Sequence, residues 1–236
     1  MADLYKTKST TILVPEDVNE SVYKLKIFNS SMNVLVHILI GIIVGVTVIL
    51  VYSFGSPPSW GMLHMLLCVI GYQLLMAEGI LSLSPDNGWS SFMKLRDKKR
   101  AHWILQIVGS VLAIIGTVME IMQKNVHFDS LHGKYGLVAM VFTILSLING
   151  LTSLYAYECR KIIPPIVSKV SHSLFGCFAF VTSSISLCYG FDMQWFREWL
   201  IIEELGTVII VFTALFTFIV IINPFAVLYT KYVSKR

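Results

Sequence analysis

The sequence predicts an all-α integral membrane protein of six transmembrane helices, and three observations predict it. Of 236 residues, 56% are hydrophobic and only 14% are charged, whereas a soluble domain carries charge at nearly twice that frequency. Six apolar runs each match the ~20 residues that a helix needs to cross the hydrocarbon core of a bilayer. Lysine and arginine cluster in short groups between those runs, which is the pattern of membrane-flanking loops and not of a nucleic-acid-binding face.

The first run, 33–54, follows a polar, mixed stretch and ends at Ser56-Pro57-Pro58-Ser59. The second, 60–83, stops at Ser84-Pro85-Asp86-Asn87-Gly88. The third, 101–123, begins directly after a basic group, and the fourth, 134–157, closes before Pro164-Pro165. The fifth, 167–189, ends at Gly190 and Asp192; the sixth, 200–229, is interrupted by Asn223-Pro224. Each must be helical, because lipid offers the backbone no hydrogen-bond partner. The expected organisation is an N-terminal tail over 1–32, one membrane domain over 33–229 and a C-terminal tail over 230–236. Fifteen of the eighteen Lys and Arg residues fall in the N-terminal tail, the second and fourth loops and the C-terminus. The excess of positive charge on that side predicts that both termini are cytoplasmic. Cys68, Cys159, Cys177 and Cys188 have no metal-type spacing and suggest no disulfide framework.

Histidine carries the functional signal. His64, His102, His132 and His172 stand within one or two turns of the starts of spans two to five. Consecutive spans run in opposite directions, so His64 and His132 form one layer, on the non-cytoplasmic side. His102 and His172 form another on the cytoplasmic side, on the order of 18 Å away for spans of ~30 Å. A single buried histidine is ordinarily a satisfied core or interfacial residue. Four at matched depth in four consecutive helices point to a ligand, since imidazoles in apolar helices are usually functional. Zinc asks for four protein ligands, or three and a water; haem iron asks the protein for two axial ligands. Two imidazoles per layer therefore fit two non-covalent b-type haems, each held between diagonal helices of a four-helix bundle made by spans two to five.

A flat macrocycle needs room. Seven residues beyond each histidine the side chain is small: Gly71, Gly109, Ala139 and Ala179, joined by Gly136 and Gly176 four residues beyond His132 and His172. These positions share the histidine's face and would let a haem plane approach the backbone; small residues also serve plain helix packing in membranes. Glu78 lies fourteen residues after His64 and Glu120 eighteen after His102. A carboxylate deep in a span is a functional candidate, and Glu78 is the candidate to take up a proton or receive a donor near the cytoplasmic haem. Glu120 lies nearer the outer interface. His127 falls in the third loop on the outer side, a candidate to help an acceptor dock although a loop histidine is ordinarily just solvated, and His37 has no evident partner. Spans one and six lack ligands and are left to cover the bundle or to make a homodimer contact.

These residues resemble the cytochrome b-561 family of transmembrane electron carriers. The likeness rests on the four-histidine spacing and on the strings LMAEGILSLSPD in span two, RAHWILQ entering span three, SLHGKYGL entering span four and SKVSHSLFG entering span five. It covers residues 30 to 230 and is closest to the short, tumour-suppressor-like branch of proteins with a cytochrome b-561 domain. The resemblance implies that His64 and His132 ligate the non-cytoplasmic haem iron and His102 and His172 the cytoplasmic one. It implies a reductase that oxidises cytoplasmic ascorbate and delivers electrons to monodehydroascorbate or a ferric chelate on the far side. It places the protein in the endoplasmic reticulum or an intracellular vesicle membrane. Lys98, Lys99, Arg100 and Lys169 then stand where an anionic donor would be steered in, and Lys134 and Tyr135, beside His132, where an acceptor would touch. The rival reading is a proton or metal-ion transporter that uses the histidines and Glu78 without haem, although transporter sites tend to lie at the midplane on broken helices.

Overall fold

With no water to satisfy the backbone inside a bilayer, a chain this apolar must close its hydrogen bonds within helices. The structure, a computed structural model, describes residues 20–232. It contains six long helices: α1 (Glu20–Ser53), α2 (Trp60–Leu81), α3 (Leu95–Gln123), α4 (Leu131–Leu154), α5 (Pro165–Phe191) and α6 (Glu204–Tyr232). All six are long and apolar enough to span a membrane, so this is a multi-pass integral membrane protein. Residues 1–19 and 233–236, which hold most of the two expected tails, lie outside the described residues.

Local chemistry sets the boundaries. α1 is already helical at Glu20, ahead of the apolar run; residues 20–32 contain neither Gly nor Pro and carry an i,i+4 ion pair, Lys24 to Glu20, at 2.7 Å. Ser59 caps α2 by accepting from the Met62 amide, and Ser130 caps α4 by accepting from the Gly133 amide. Pro165 starts α5 in the first turn, where its missing N–H is harmless. A short helix, Gln194–Trp199, lies just before the expected sixth run, and the Trp199 indole donates to Ser53 Oγ at 2.8 Å.

One helix is irregular. Within α2 the segment Val69–Met76 is π-helical, flanked by α-helix over Trp60–Cys68 and Ala77–Leu81. A π turn closes i→i+5 bonds and so holds an additional residue. Everything beyond it is rotated relative to a regular helix.

The helices pack as two antiparallel hairpins, α2–α3 and α4–α5, close within themselves and facing each other more sparsely. α1 and α6 pack on the α2 and α5 side, where Val36, Ile40, Ile43, Phe180, Phe216 and Val220 form the main core. α3 shows the lipid-facing logic plainly. Ile107, Val111, Ile115 and Val118 are exposed along one stripe, while Gly109, Ala113 and Gly116 are buried along the other.

Candidate cofactor site

Four imidazoles meet in two couples between the hairpins. The ring centres of His64 and His132 are 6.0 Å apart with planes at 86°. Those of His102 and His172 are 6.2 Å apart at 89°. We refer to them as the first and second couples.

Each ring is held from behind by main chain. His64 Nδ1 lies 2.9 Å from the Gly116 carbonyl and His102 Nδ1 2.8 Å from that of Gly79. His132 Nδ1 lies 2.8 Å from the Ser186 carbonyl and His172 Nδ1 3.1 Å from that of Ser146. A carbonyl can only accept, so every Nδ1 is an N–H, and in the neutral imidazole Nε2 keeps its lone pair. This is the device that orients metal-bound histidines: the second ring nitrogen donates to a fixed acceptor, which sets tautomer and ring plane. The tether runs to the partner helix of the same hairpin, so the free nitrogen is the one available to the gap between hairpins.

The donor set fits a metal already held in a plane by something else. One atom between two imidazole nitrogens, with bonds of about 2 Å and ring centres ~1.2 Å further back, separates those centres by roughly 6 Å. Both couples have that spacing. Among the described residues no group of three or more His, Cys, Asp and Glu gathers as a metal site, so neither couple offers further protein ligands. Two imidazoles are a ligand set that haem iron would accept from a protein. The first couple opens onto a cavity of about 290 Å³, walled by Cys68, Tyr72, Gly136, Ala139 and Ser183. Glycine leaves two of the rings their room: a Cβ on Gly190 would sit 3.3 Å from the His132 ring, and one on Gly150 3.2 Å from the His172 ring.

The acceptor carbonyls follow a pattern that residue-by-residue reading misses. Ser146 is fourteen residues after His132, Ser186 fourteen after His172, and Gly116 fourteen after His102. Gly79 is fifteen after His64, and α2 is the helix with the π segment. The π turn absorbs the odd residue and returns the Gly79 carbonyl to the place that regular geometry gives the other three. Fourteen residues at 1.5 Å put the layers about 21 Å apart. In α4 and α5 the repetition extends to the whole motif: His132, Gly136, Ala139, Ser146 and Gly150 recur forty residues on as His172, Gly176, Ala179, Ser186 and Gly190.

The small residues divide into two kinds. Gly136 and Gly176 make room for the opposing serines: a Cβ there would lie 3.4 Å from Ser186 Oγ or 3.3 Å from Ser146 Oγ. Gly71 and Gly109 sit where α2 crosses α3, and a Cβ on Gly71 would come 2.6 Å from the Gly109 carbonyl. That crossing is helix packing, which is where the structure puts these two glycines. Ala139 and Ala179 are buried, Ala139 against Tyr72, Met76 and Ala113.

Other candidate residues are placed differently from what sequence position suggests. Glu78 was expected beside the cytoplasmic layer on the histidine face of its helix. The π segment rotates it toward α1, where Oε1 meets His37 Nδ1 at 2.8 Å and Oε2 accepts from the Trp89 indole at 2.8 Å. His37 thus has a partner that regular helix spacing does not reveal. Lys98, expected at an open mouth, is buried, and its ammonium donates to the Ser84 carbonyl at 2.8 Å. Lys99, Arg100 and Lys169 are exposed, with Arg100 paired to Asp97 at 3.2 Å. At the other end Glu120, Lys124 and His127 line the cavity mouth, with Glu120 and Lys124 paired at 3.0 Å. Lys134 is exposed beside that mouth, and Tyr135 stacks on Tyr189 at 5.7 Å.

A family model described as eukaryotic cytochrome b561 matches residues 63–197, which include all four histidines. The chain is similar to transmembrane reductase CYB561D2 of Mus musculus and of Homo sapiens, 28% identical over 145 residues in each case. Those matches cover 58% of this chain and 62% of the relative. It is also similar to the probable transmembrane reductase CYB561D1 of Mus musculus, 24% identical over 143 residues, covering 59% of this chain and 61% of that one. The match thus spans about three fifths of the length of these curated relatives.

Proposed function

We propose that this chain, which belongs to the eukaryotic cytochrome b561 family, is a transmembrane reductase that carries electrons from cytoplasmic ascorbate to monodehydroascorbate or a ferric chelate on the opposite side. The observation that carries the proposal is the pair of imidazole couples, each spaced for one metal atom and each tethered through Nδ1 to main chain. His64 and His132 would hold one b-type haem and His102 and His172 a second. Bound there, haem would supply reversible one-electron chemistry.

The protein's own contribution is placement and exclusion. Four carbonyls keep the imidazoles in the tautomer that can bind metal. Between the layers, the buried Tyr72, Met76, Ala113 and Ala139 pack together and keep water out. The distribution of Lys and Arg supports cytoplasmic termini, which puts the second couple at the cytoplasmic end. There the exposed cations of Lys99, Arg100 and Lys169 would draw in an anionic donor. Around the first couple, Glu120, Lys124 and His127 form the rim that an acceptor would reach, and Lys134 and Tyr135, next to His132 in sequence, are further candidate contacts.

The test is haem content and spectra of the purified protein and its four single His→Ala variants. Two haems per chain are expected, with dithionite-reducible low-spin b-type bands. His64→Ala or His132→Ala should remove one haem, and His102→Ala or His172→Ala the other, together with reduction by ascorbate. A chain that purifies folded without haem would defeat the proposal and favour the histidine-based transporter.

A further inference from the structure

α1 supplies no histidine to either couple, yet it carries His37 into a polar network that the proposed electron relay does not use. His37 Nδ1 faces Glu78 Oε1 at 2.8 Å and Nε2 faces Asn87 Oδ1 at 3.0 Å. The orientation of Asn87 is fixed from two sides. The Gly88 amide, which can only donate, binds Asn33 Oδ1, so Asn33 Nδ2 donates to Asn87 Oδ1 at 3.0 Å. The Ser82 carbonyl, which can only accept, takes the Ser90 hydroxyl, so Ser90 Oγ accepts from Asn87 Nδ2 at 2.8 Å. Asn87 therefore presents oxygen to His37, and Nε2 must be an N–H.

The consequence falls on the other ring nitrogen. With Nε2 protonated, a second proton must lie between Nδ1 and Oε1, as imidazolium to carboxylate or as carboxylic acid to imidazole. Without it a lone pair faces a carboxylate at 2.8 Å. Oε2 already accepts from the Trp89 indole, so Oε1 is the atom that shares this proton. The couple is a one-proton site, neutral when loaded and negative when empty. It is also near an electron site: Glu78 immediately precedes Gly79, whose carbonyl orients His102. The side chains are 29% and 18% exposed, at the end of the bundle where the 82–94 loop turns.

We propose that the His37–Glu78 couple is a proton-exchange site linked to the second couple, holding one proton while the site held by His102 and His172 is reduced and releasing it to cytoplasmic water when that site is oxidised. The inference rests on the proposed function. The electron comes from the ascorbate donor, the proton from water at the cytoplasmic face, and only N–H and O–H bonds form or break. A negative couple opposes an arriving electron and a neutral one does not. The surrounding charges are already committed: Asp86 accepts from Asn29 at 3.0 Å, and Lys98 is held by Ser84. Beyond them on α3 are Asp97, Arg100 and His102. α6, packed against the end of α2, has no titratable side chain between Leu205 and Ile222.

The experiment is spectroelectrochemical titration of the two haems between pH 5.5 and 8.5 in wild type, Glu78→Gln and His37→Gln. In wild type the reduction equilibrium of the second-couple haem should shift toward tenfold per pH unit, which is about 59 mV for one electron, while the first-couple haem stays nearly flat. Each variant should keep both haems and lose the slope. A second-couple haem that is pH-independent in wild type overturns the inference without any variant. So does a slope that persists in both variants. Absence of haem would instead count against the proposed function, so the two failures are distinct.

Discussion

In the α4–α5 hairpin, His132 and Ser146 on one helix answer His172 and Ser186 on the other, fourteen residues apart in both, with Gly150 and Gly190 four residues further on. In α2–α3 the corresponding intervals are fifteen and fourteen, and the longer one contains the π-helical segment Val69–Met76. Both hairpins deliver two tethered imidazoles to the same two depths. The first does so by repeating one regular pattern. The second does so with a residue to spare, and the rotation this causes turns Glu78 out of the bundle and against His37. Irregularity in α2 is therefore the origin of the half-buried network on α1 and not a flaw in the ligand frame.

The largest effects should come from a change of helix register in each hairpin. One alanine inserted between Val141 and Phe142 should swing the Ser146 carbonyl about 100° away from His172, with loss of the second-couple haem, half of the total. Deleting Leu74 from the π segment should leave both haems in place, because Gly79 then falls fourteen residues after His64. Haem-to-protein ratio measures both, and a deletion as damaging as the insertion would sink the idea of a spare residue.

Substitution at the glycines should separate packing from room. Gly71→Val drives a side chain into the Gly109 carbonyl and the Ala113 amide, at 2.6 and 2.8 Å from the first added carbon. Backbone cannot yield there, and thermal unfolding in detergent should report a loss of about 1–3 kcal/mol or more. Gly136→Ala meets only a serine hydroxyl at 3.4 Å and should be close to neutral.

A finer distinction lies between the ring neighbours. Gly190→Ala should perturb the electron paramagnetic resonance of the first-couple haem alone, and Gly150→Ala that of the second, since each Cβ presses on one imidazole. Smallest of all should be Ser146→Ala and Ser186→Ala. Their hydroxyls approach His172 and His132 at 3.4 and 3.3 Å, but their carbonyls make the shorter bonds, so stability should change by no more than about 1 kcal/mol with both haems retained.

The comparison also explains what could be read in advance. Six spans follow from apolar runs and breakers, because lipid imposes a length on any helix that crosses it. The four histidines were legible because alternating helix direction converts position in sequence into depth. The acceptor carbonyls were not, since every residue has one; only the forty-residue recurrence of His, Gly, Ala, Ser and Gly in α4 and α5 marks where two of them lie. The partner of His37 had no such mark. It depends on a π turn between His64 and Glu78, and reading that interval at a regular 100° per residue aims the carboxylate at the wrong neighbour. Lys98 misled for a related reason: a cation inside a basic group reads as exposed, but its position in the first turn of α3 brings it under the loop, within reach of Ser84.

Main-chain carbonyls have one further consequence. A side-chain acceptor behind each ligand would be lost by a single base change; a peptide oxygen survives whatever residue carries it. At Gly79, Gly116, Ser146 and Ser186, evolution is thus free to vary the residue so long as its bulk can be accommodated, and what selection must guard is the count of residues from ligand to acceptor.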